Sequence, residues 1–187
     1  MPSLDSLQRL DQHVFLFLNS KLSNETVTGL LYAITWLGNA VVIAVLIIPL
    51  LAWRDPKTLR THLVPLIASV ATTGLLVNIT KLVVARNRPP LCAALHHQDI
   101  NVPYGIPSDT SFPSGHSQTA FGVAVYLSLL YPRWAVMLVS LAGMVALSRI
   151  GLGVHFPLDV LVGAGVGSAG SIIAYFWKTG KLAHRQS

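Results

Sequence analysis

The sequence predicts an all-α fold, a polytopic membrane helical bundle. Two observations lead there. Of the 187 residues 52% are apolar and only 11% are charged, against about 25% charged in an ordinary soluble domain. The charges also fall in short clusters between long charge-free runs. A water-soluble domain of this length needs more charge on its surface, so one membrane domain over 1–187 is expected, with about five transmembrane helices and an N-terminal amphipathic helix, six spans at most.

The elements follow in order. Over 1–22, Leu4, Leu7, Leu10, Val14, Phe17, Leu18 and Leu22 recur near helical spacing. Asp5, Gln8, Arg9, Asp11 and Gln12 lie between them. The strong charged face and low hydrophobicity predict an amphipathic helix lying in the interface rather than a sixth crossing. No cleavable signal is expected, because the segment is too polar for an h-region. Val27 to Trp53 carries no charge and is long enough to cross ~30 Å of hydrocarbon, with Trp53 at an interfacial position. Arg54, Asp55, Pro56, Lys57 and Arg60 break it, and Leu63 to Thr80 is the next apolar run, ended by Lys81.

Residues 86–113 are polar and hold the breakers Pro89, Pro90, Pro103 and Pro107, which predicts an extramembrane loop. Ser114 to Tyr131, Trp134 to Ile150 and Leu158 to Trp177 complete the set, before a basic tail of Lys178, Lys181, His184 and Arg185. Several runs are near the lower length limit for a span, as expected if a polar site is sunk just below one membrane surface. Gly163, Gly167 and Gly170 predict close helix contact along the last helix, and Asn78 an interhelical hydrogen bond.

The net charge is +6. The cations form no stripe interleaved with aromatics, so nucleic acid is not an expected partner. Five crossings can instead be oriented by cation bias. Arg54, Lys57, Arg60, Arg133, Lys178, Lys181 and Arg185 share one side, which should be cytoplasmic. The other side receives the Ser23–Thr26 turn, the 86–113 loop and the Gly151–Pro157 turn. Lys81, Arg86, Arg88 and Arg149 fall there against the bias and need another explanation. The single cysteine, Cys92, cannot form an internal disulfide.

Three clusters meet on that side. Lys81 and Arg88 are seven residues apart, so they share a face if one helix carries both, with Pro89 ending it. Either cation alone also reads as a snorkelling side chain. Pro113-Ser114-Gly115-His116 reads as a helix start, where free N–H groups and the dipole favour an anion and Gly115 permits close approach. Ser148-Arg149 is followed by His155 and, at i+4, Asp159. A carboxylate on one imidazole nitrogen fixes the tautomer and leaves the other lone pair free, as a nucleophile requires. Alone, the pair also reads as a helix cap. Together the clusters bring three cations, two histidines and one carboxylate to one membrane face. That set suits a phosphoryl group passing through a double displacement. One Asp and no Cys/His ligand set make a metal centre unexpected, and the adjacent His96 and His97 lack helical ligand spacing.

At these residues the chain resembles the type 2 phosphatidic acid phosphatase family of membrane lipid phosphatases. The likeness rests on Lys81-x6-Arg88-Pro89, Pro113-Ser114-Gly115-His116 and Ser148-Arg149-x5-His155-x3-Asp159, in the family's order and with no departure. The resemblance implies that His155 attacks phosphorus and becomes phosphohistidine, oriented by Asp159. It implies that His116 protonates the leaving oxygen, and that Lys81, Arg88, Arg149, Ser114 and Gly115 bind phosphoryl oxygens. No cofactor or metal is implied. The implied substrates are an anionic phospholipid or polyprenyl phosphate, such as undecaprenyl diphosphate, phosphatidylglycerol phosphate or phosphatidic acid. The implied setting is a bacterial plasma membrane with the site on the outer, periplasmic face. Lipid A phosphatase, phosphotransferase to another acceptor, and a non-catalytic lipid-phosphate carrier are the competing expectations. The Leu91–Phe112 segment is expected to line the entrance.

Overall fold

The computed structural model describes residues 4–184. Within them the chain forms α1 (Leu4–Lys21), α2 (Glu25–Thr35), α3 (Ala40–Arg54), α4 (Pro56–Val84), α5 (Gly115–Leu130), α6 (Ala135–Gly151) and α7 (Pro157–His184), with short 3-10 turns between some of them and no strand. Residues 1–3 of the N-terminal segment lie outside the described residues. So do Arg185 and the side chains of Lys181 and His184 from the expected basic tail.

α5 is the central post, packed mainly against α7 and α6, with α4 against both α7 and α5. Glycine makes the α5–α7 crossing possible. A Cβ on Gly163 would run into the carbonyl oxygen of Ser114, and one on Gly167 into that of Gln118. Gly170 receives the methyl of Thr73 from α4. The expected small-residue contact therefore forms, and it brings the backbones near enough for polar side chains to bridge them. The Ser171 hydroxyl donates to Gly122 O at 2.6 Å, and the Gln118 amide donates to Thr73 Oγ1 at 2.6 Å and Val70 O at 3.2 Å. Asn78 does not take part. It is exposed on α4, so it stands on the outward face rather than the packed one.

The bundle buries polar side chains beside apolar ones and turns apolar ones outward. Asp11, Asn19, Ser69, Thr73, Gln118 and Asp159 are buried with Phe15, Val145 and Phe156, while Leu82 and Val136 are each 83% exposed. The apolar exterior suits a lipid environment, where outward apolar side chains lose nothing by exposure. The first helix departs from its expected pattern at one residue: Leu10 and Phe17 face outward, but Asp11, read with the charged face, is buried.

Three helical stretches are long and apolar enough to cross a membrane, within 56–95, 132–151 and 157–180. A fourth is added if α2 and α3 are counted as one broken span. The run from Val27 to Trp53 is thus not a straight crossing. It bends by 70° at Gly38-Asn39. The Asn39 side chain caps α3, accepting from the N–H groups of Val41 and Val42 at 2.9 and 3.2 Å. Gly38 packs so tightly on Val145 and His116 that a Cβ would lie 2.7 Å from Val145 Cγ1. α5 has 16 residues, about 24 Å at ~1.5 Å per residue. This is short for a span, and the helix is enclosed by its neighbours. α1 is not among the helices that meet the crossing criteria.

At the end where cations were expected to gather, the Tyr131 hydroxyl donates to Asp55 Oδ2 at 3.0 Å, tying the α3–α4 junction to the end of α5. The clusters with chemistry lie at the opposite end.

Gly167→Val should force the α5–α7 crossing apart. An overpacking cost of about 1–3 kcal/mol is expected, read as a fall of about 2–4 °C in Tm per kcal/mol for the detergent-solubilised protein. Gly180→Ala, where a Cβ meets nothing within 4 Å, should leave Tm unchanged.

Candidate active site

The turn between α6 and α7 carries His155. Arg149 O, near the end of α6, accepts both Val154 N and His155 N at 3.2 Å. Gly153 makes this tight return possible, with φ +74° and a Cβ position blocked by Asn101 O. Pro157 then opens α7, where its missing N–H costs nothing. Asp159 Oδ2, in that first turn, accepts from Phe156 N at 2.8 Å.

The His155 ring is buried. Its Nδ1 lies 3.5 Å from Asp159 Oδ2, close enough for charge to act but without a hydrogen bond among the described residues. Its Nε2 lies 3.4 Å from Arg88 Nη1. Arg88 can only donate, so Nε2 presents a lone pair and Nδ1 carries the proton towards Asp159. Burial holds the imidazole below its ordinary range, at about 4, with Arg149 and Arg88 adding to the effect and Asp159 opposing it. A neutral ring with a free Nε2 is therefore the form present at neutral pH.

Around this lone pair stand the cations. Arg88 is buried, and its other bonds go to Val154 O at 2.6 Å and Asp109 O at 2.9 Å. Arg149 is 9% exposed and donates through Nη1 to Thr35 Oγ1 at 2.8 Å. Its buried Nε has no hydrogen-bond partner among the described residues. Lys81 and Arg88 do converge, but not by sharing a helix. α4 ends at Val84, and Ala85 takes the left-handed conformation at φ +47°. Arg88 returns in an extended segment. A third group joins the two cations: the Asp109 carboxylate bonds both Lys81 and Arg88. Partial burial works against its ionisation, but those bonds hold it down to about 2.

The second motif lies beside this group. Ser114 caps α5, accepting from Ser117 N at 3.4 Å and Ser117 Oγ at 3.1 Å, and it keeps its own hydroxyl proton to donate. A Cβ on Gly115 would meet nothing within 4 Å, so its backbone is open to approach. His116 follows in the first turn of α5, within electrostatic reach of Arg149, His155 and Arg88. All eight residues expected at the site thus occupy one end of the bundle. His96 and His97 stay apart from it, exposed in the loop.

The sequence reading missed several participants. Arg86, noted only as a cation against the bias, forms ion pairs with Asp159 and with Asp11 of α1. Asp109 lies in the segment expected to line the entrance and was given no role of its own. Thr35 holds Arg149, and Asn19 donates to Ile150 O and Gly151 O at the end of α6. Asp11, Phe15 and Asn19 are all buried and four residues apart. That polar-apolar-polar stripe at helical spacing was the available signal.

Fold and site together define a class: a helical membrane protein with two histidines, three cations and a buried carboxylate gathered at one end. The chain belongs to the PAP2 superfamily, whose model matches residues 62–182. It is 33% identical to the lipid A 1-phosphatase of Rhizobium etli over 117 residues, 58% of this chain and 47% of that one. It is 34% identical to an undecaprenyl-diphosphatase of Sulfolobus acidocaldarius over 116 residues, 60% and 53% of the two chains. The chain thus spans about half the length of these curated relatives. The crystal structure of Aquifex aeolicus LpxE superposes with a TM-score of 0.73 at 27% identity, covering 87% of this chain and 92% of that one. The phosphatidylglycerolphosphate phosphatase of Bacillus subtilis shares the fold, with a TM-score of 0.70 at 23% identity over 95% and 87%.

Asp109 holds the two cations that an incoming anion would need. Removing its charge in Asp109→Asn should tighten inhibition by inorganic phosphate about fivefold, the equivalent of ~1 kcal/mol for one exposed charge at contact. Weaker phosphate inhibition in the variant would show that Asp109 arranges the cations rather than competing for them.

Proposed function

We propose that this chain is a metal-independent lipid phosphatase working through phosphohistidine. The observation that carries the reading is the His155 ring: buried, neutral, with Nδ1 towards Asp159 and the Nε2 lone pair facing Arg88. Nε2 attacks phosphorus while the bond from phosphorus to the leaving oxygen breaks. His116 gives that oxygen its proton. Arg88, Arg149 and Lys81, with the Ser114 hydroxyl and the Gly115 backbone, take the phosphoryl oxygens, whose charge is spread in the transition state. His116, now a base, takes a proton from water, the water oxygen attacks phosphorus, and the N–P bond breaks to release inorganic phosphate.

The substrate class is an anionic lipid phosphate or diphosphate. Undecaprenyl diphosphate, phosphatidylglycerol phosphate and phosphatidic acid all fit a polar cluster at the end of an apolar bundle. Lipid A phosphatase is the second reading, favoured by the 33% identity to the Rhizobium etli protein. Transfer of the phosphoryl group to an alcohol would use the same intermediate. A non-catalytic carrier would need the cations but not the His155–Asp159 pair. The cation bias supports a site on the outer face, and the likeness to bacterial proteins supports a bacterial plasma membrane.

His155→Ala and His116→Ala should each lower phosphate release at least ~10²-fold while the protein remains folded in detergent; full activity in either would exclude the mechanism. A panel of these lipids, read by phosphate release, identifies the preferred head group. Wild type given labelled lipid and quenched in base should carry an acid-labile label that His155→Ala lacks.

For orientation, Ser108→Cys in a Cys92→Ser background should react with a membrane-impermeant thiol reagent added outside spheroplasts. Reaction only after lysis would reverse the topology.

A further inference from the structure

Behind the His155 ring, on the side away from Arg88, a chain of charge runs out to the first helix. Asp159 Oδ2 faces His155 and accepts from Phe156 N, while Oδ1 is paired with Arg86 Nη1. The same guanidinium uses Nη2 to reach Asp11 Oδ2 at 2.6 Å. The second oxygen of Asp11 accepts from Leu158 N, in the first turn of α7, at 2.8 Å. Arg86 is held in plane by the Phe156 ring, 4.1 Å below it, and Phe15 of α1 meets that ring from the edge at 5.3 Å between centroids. Both carboxylates are buried: Asp11 is 4% exposed and Asp159 0%. Asp11 also lies outside the part of the chain that matches the family model, which begins at residue 62.

We propose that Asp11 and Arg86 form a positioning couple through which the N-terminal helix sets the orientation of Asp159 and so of the His155 ring. The inference rests on the reading of His155 as nucleophile. Two carboxylates share one guanidinium. Asp11 draws off part of the Arg86 charge, which leaves more of the Asp159 charge for the Nδ1 proton. It also pins α7 at Leu158, one residue from Asp159. Without Asp11, Arg86 would pair with Asp159 alone. The carboxylate would be pulled away from a ring that it already meets only at 3.5 Å. The lone pair on Nε2 would become less basic and less well aimed. The groups facing His155 are Arg88 from the loop, Arg149 from α6, His116 from α5 and Asp159 from α7. Asp109 reaches it only through Arg88. Of these, Asp159 is the member that Arg86 touches, and Asp11 reaches it through Arg86.

The test uses the full chain in detergent, with phosphatidic acid or undecaprenyl diphosphate, whichever the wild type hydrolyses. Asp11→Asn keeps the shape and an acceptor for Leu158 N but removes the charge. It should lower kcat about ten- to hundredfold, the scale of a slightly misplaced reacting group. KM should stay nearly constant, because the phosphoryl-binding cations are untouched. The acid-side inflection of kcat/KM should move to lower pH, and Asp11→Glu should restore most of the rate. If Asp11→Asn does not fold, Arg86→Lys replaces it. That change keeps a charge but loses the fork that spans two carboxylates, and it should give the same kcat loss and shift.

NMR titration of the histidine ring protons reads the His155 inflection without activity, and it should fall in either variant. Wild-type protein that hydrolyses no lipid phosphate would overturn the proposed function and leave the titration to decide the couple. An unchanged kcat and an unchanged His155 titration in a folded variant would overturn the couple and leave the proposed function standing.

Discussion

Asp159 is a carboxylate with no measurable contact with solvent, at the N-terminus of a helix that is apolar for most of its length. Taking such a group out of water costs several kcal/mol unless its oxygens are met by donors and counter-charge. Here the helix start supplies the Phe156 N–H, the loop supplies Arg86, and the α6–α7 turn supplies His155. Arg86 in turn would be a half-buried cation near hydrocarbon with one partner too few, and Asp11 of the first helix fills that need. Each of these groups is tolerable only because the next one is present. The arrangement binds four separate parts of the chain to one point. The first helix, the α4–α5 loop, the α6–α7 turn and the start of α7 cannot shift independently.

The second constraint is steric. The cradle around the start of α5 exists because α7 crosses it at backbone contact, with Gly163 under Ser114 and Gly167 under Gln118. Any side chain at those positions would lift Ser114 and Gly115 away from the turn that holds His155. Ser114 N also donates to Asp159 O at 2.9 Å, so the starts of α5 and α7 are joined through main chain as well. The geometry of the site therefore follows from packing on one side and buried charge on the other.

Much of this was legible from residue types. The three motifs, the extramembrane loop and the glycine crossing were all visible, because they depend on local spacing or on small side chains repeated along one helix. What failed depended on tertiary context. Lys81 and Arg88 were placed together by helical periodicity, yet they meet by way of the left-handed Ala85 and a loop carboxylate. The uncharged stretch from Val27 to Trp53 gave no sign of a 70° break, since Gly38-Asn39 is polar only by one side chain and its cause is the close approach of His116. Asp11 was assigned to the outer face, because an acid between leucines looks solvated unless its partner, 75 residues away, is known.

The Arg149 carbonyl has a consequence for how such chains can vary. It accepts two successive N–H groups, from Val154 and His155, so the segment between Arg149 and His155 is closed into a ring of fixed size by the backbone itself. Adding or deleting one residue there would break that ring and rotate the imidazole out of line. The stretch from Leu91 to Ser108 has no comparable closure. It is held at its far end, through Asp109, Thr110 and Ser111, and in its middle by Asn101, which exchanges hydrogen bonds with Asn19 and lies against Gly153. Length can therefore vary only in the exposed stretch between Asn101 and Asp109, while the short turn works as a ruler whose length cannot drift.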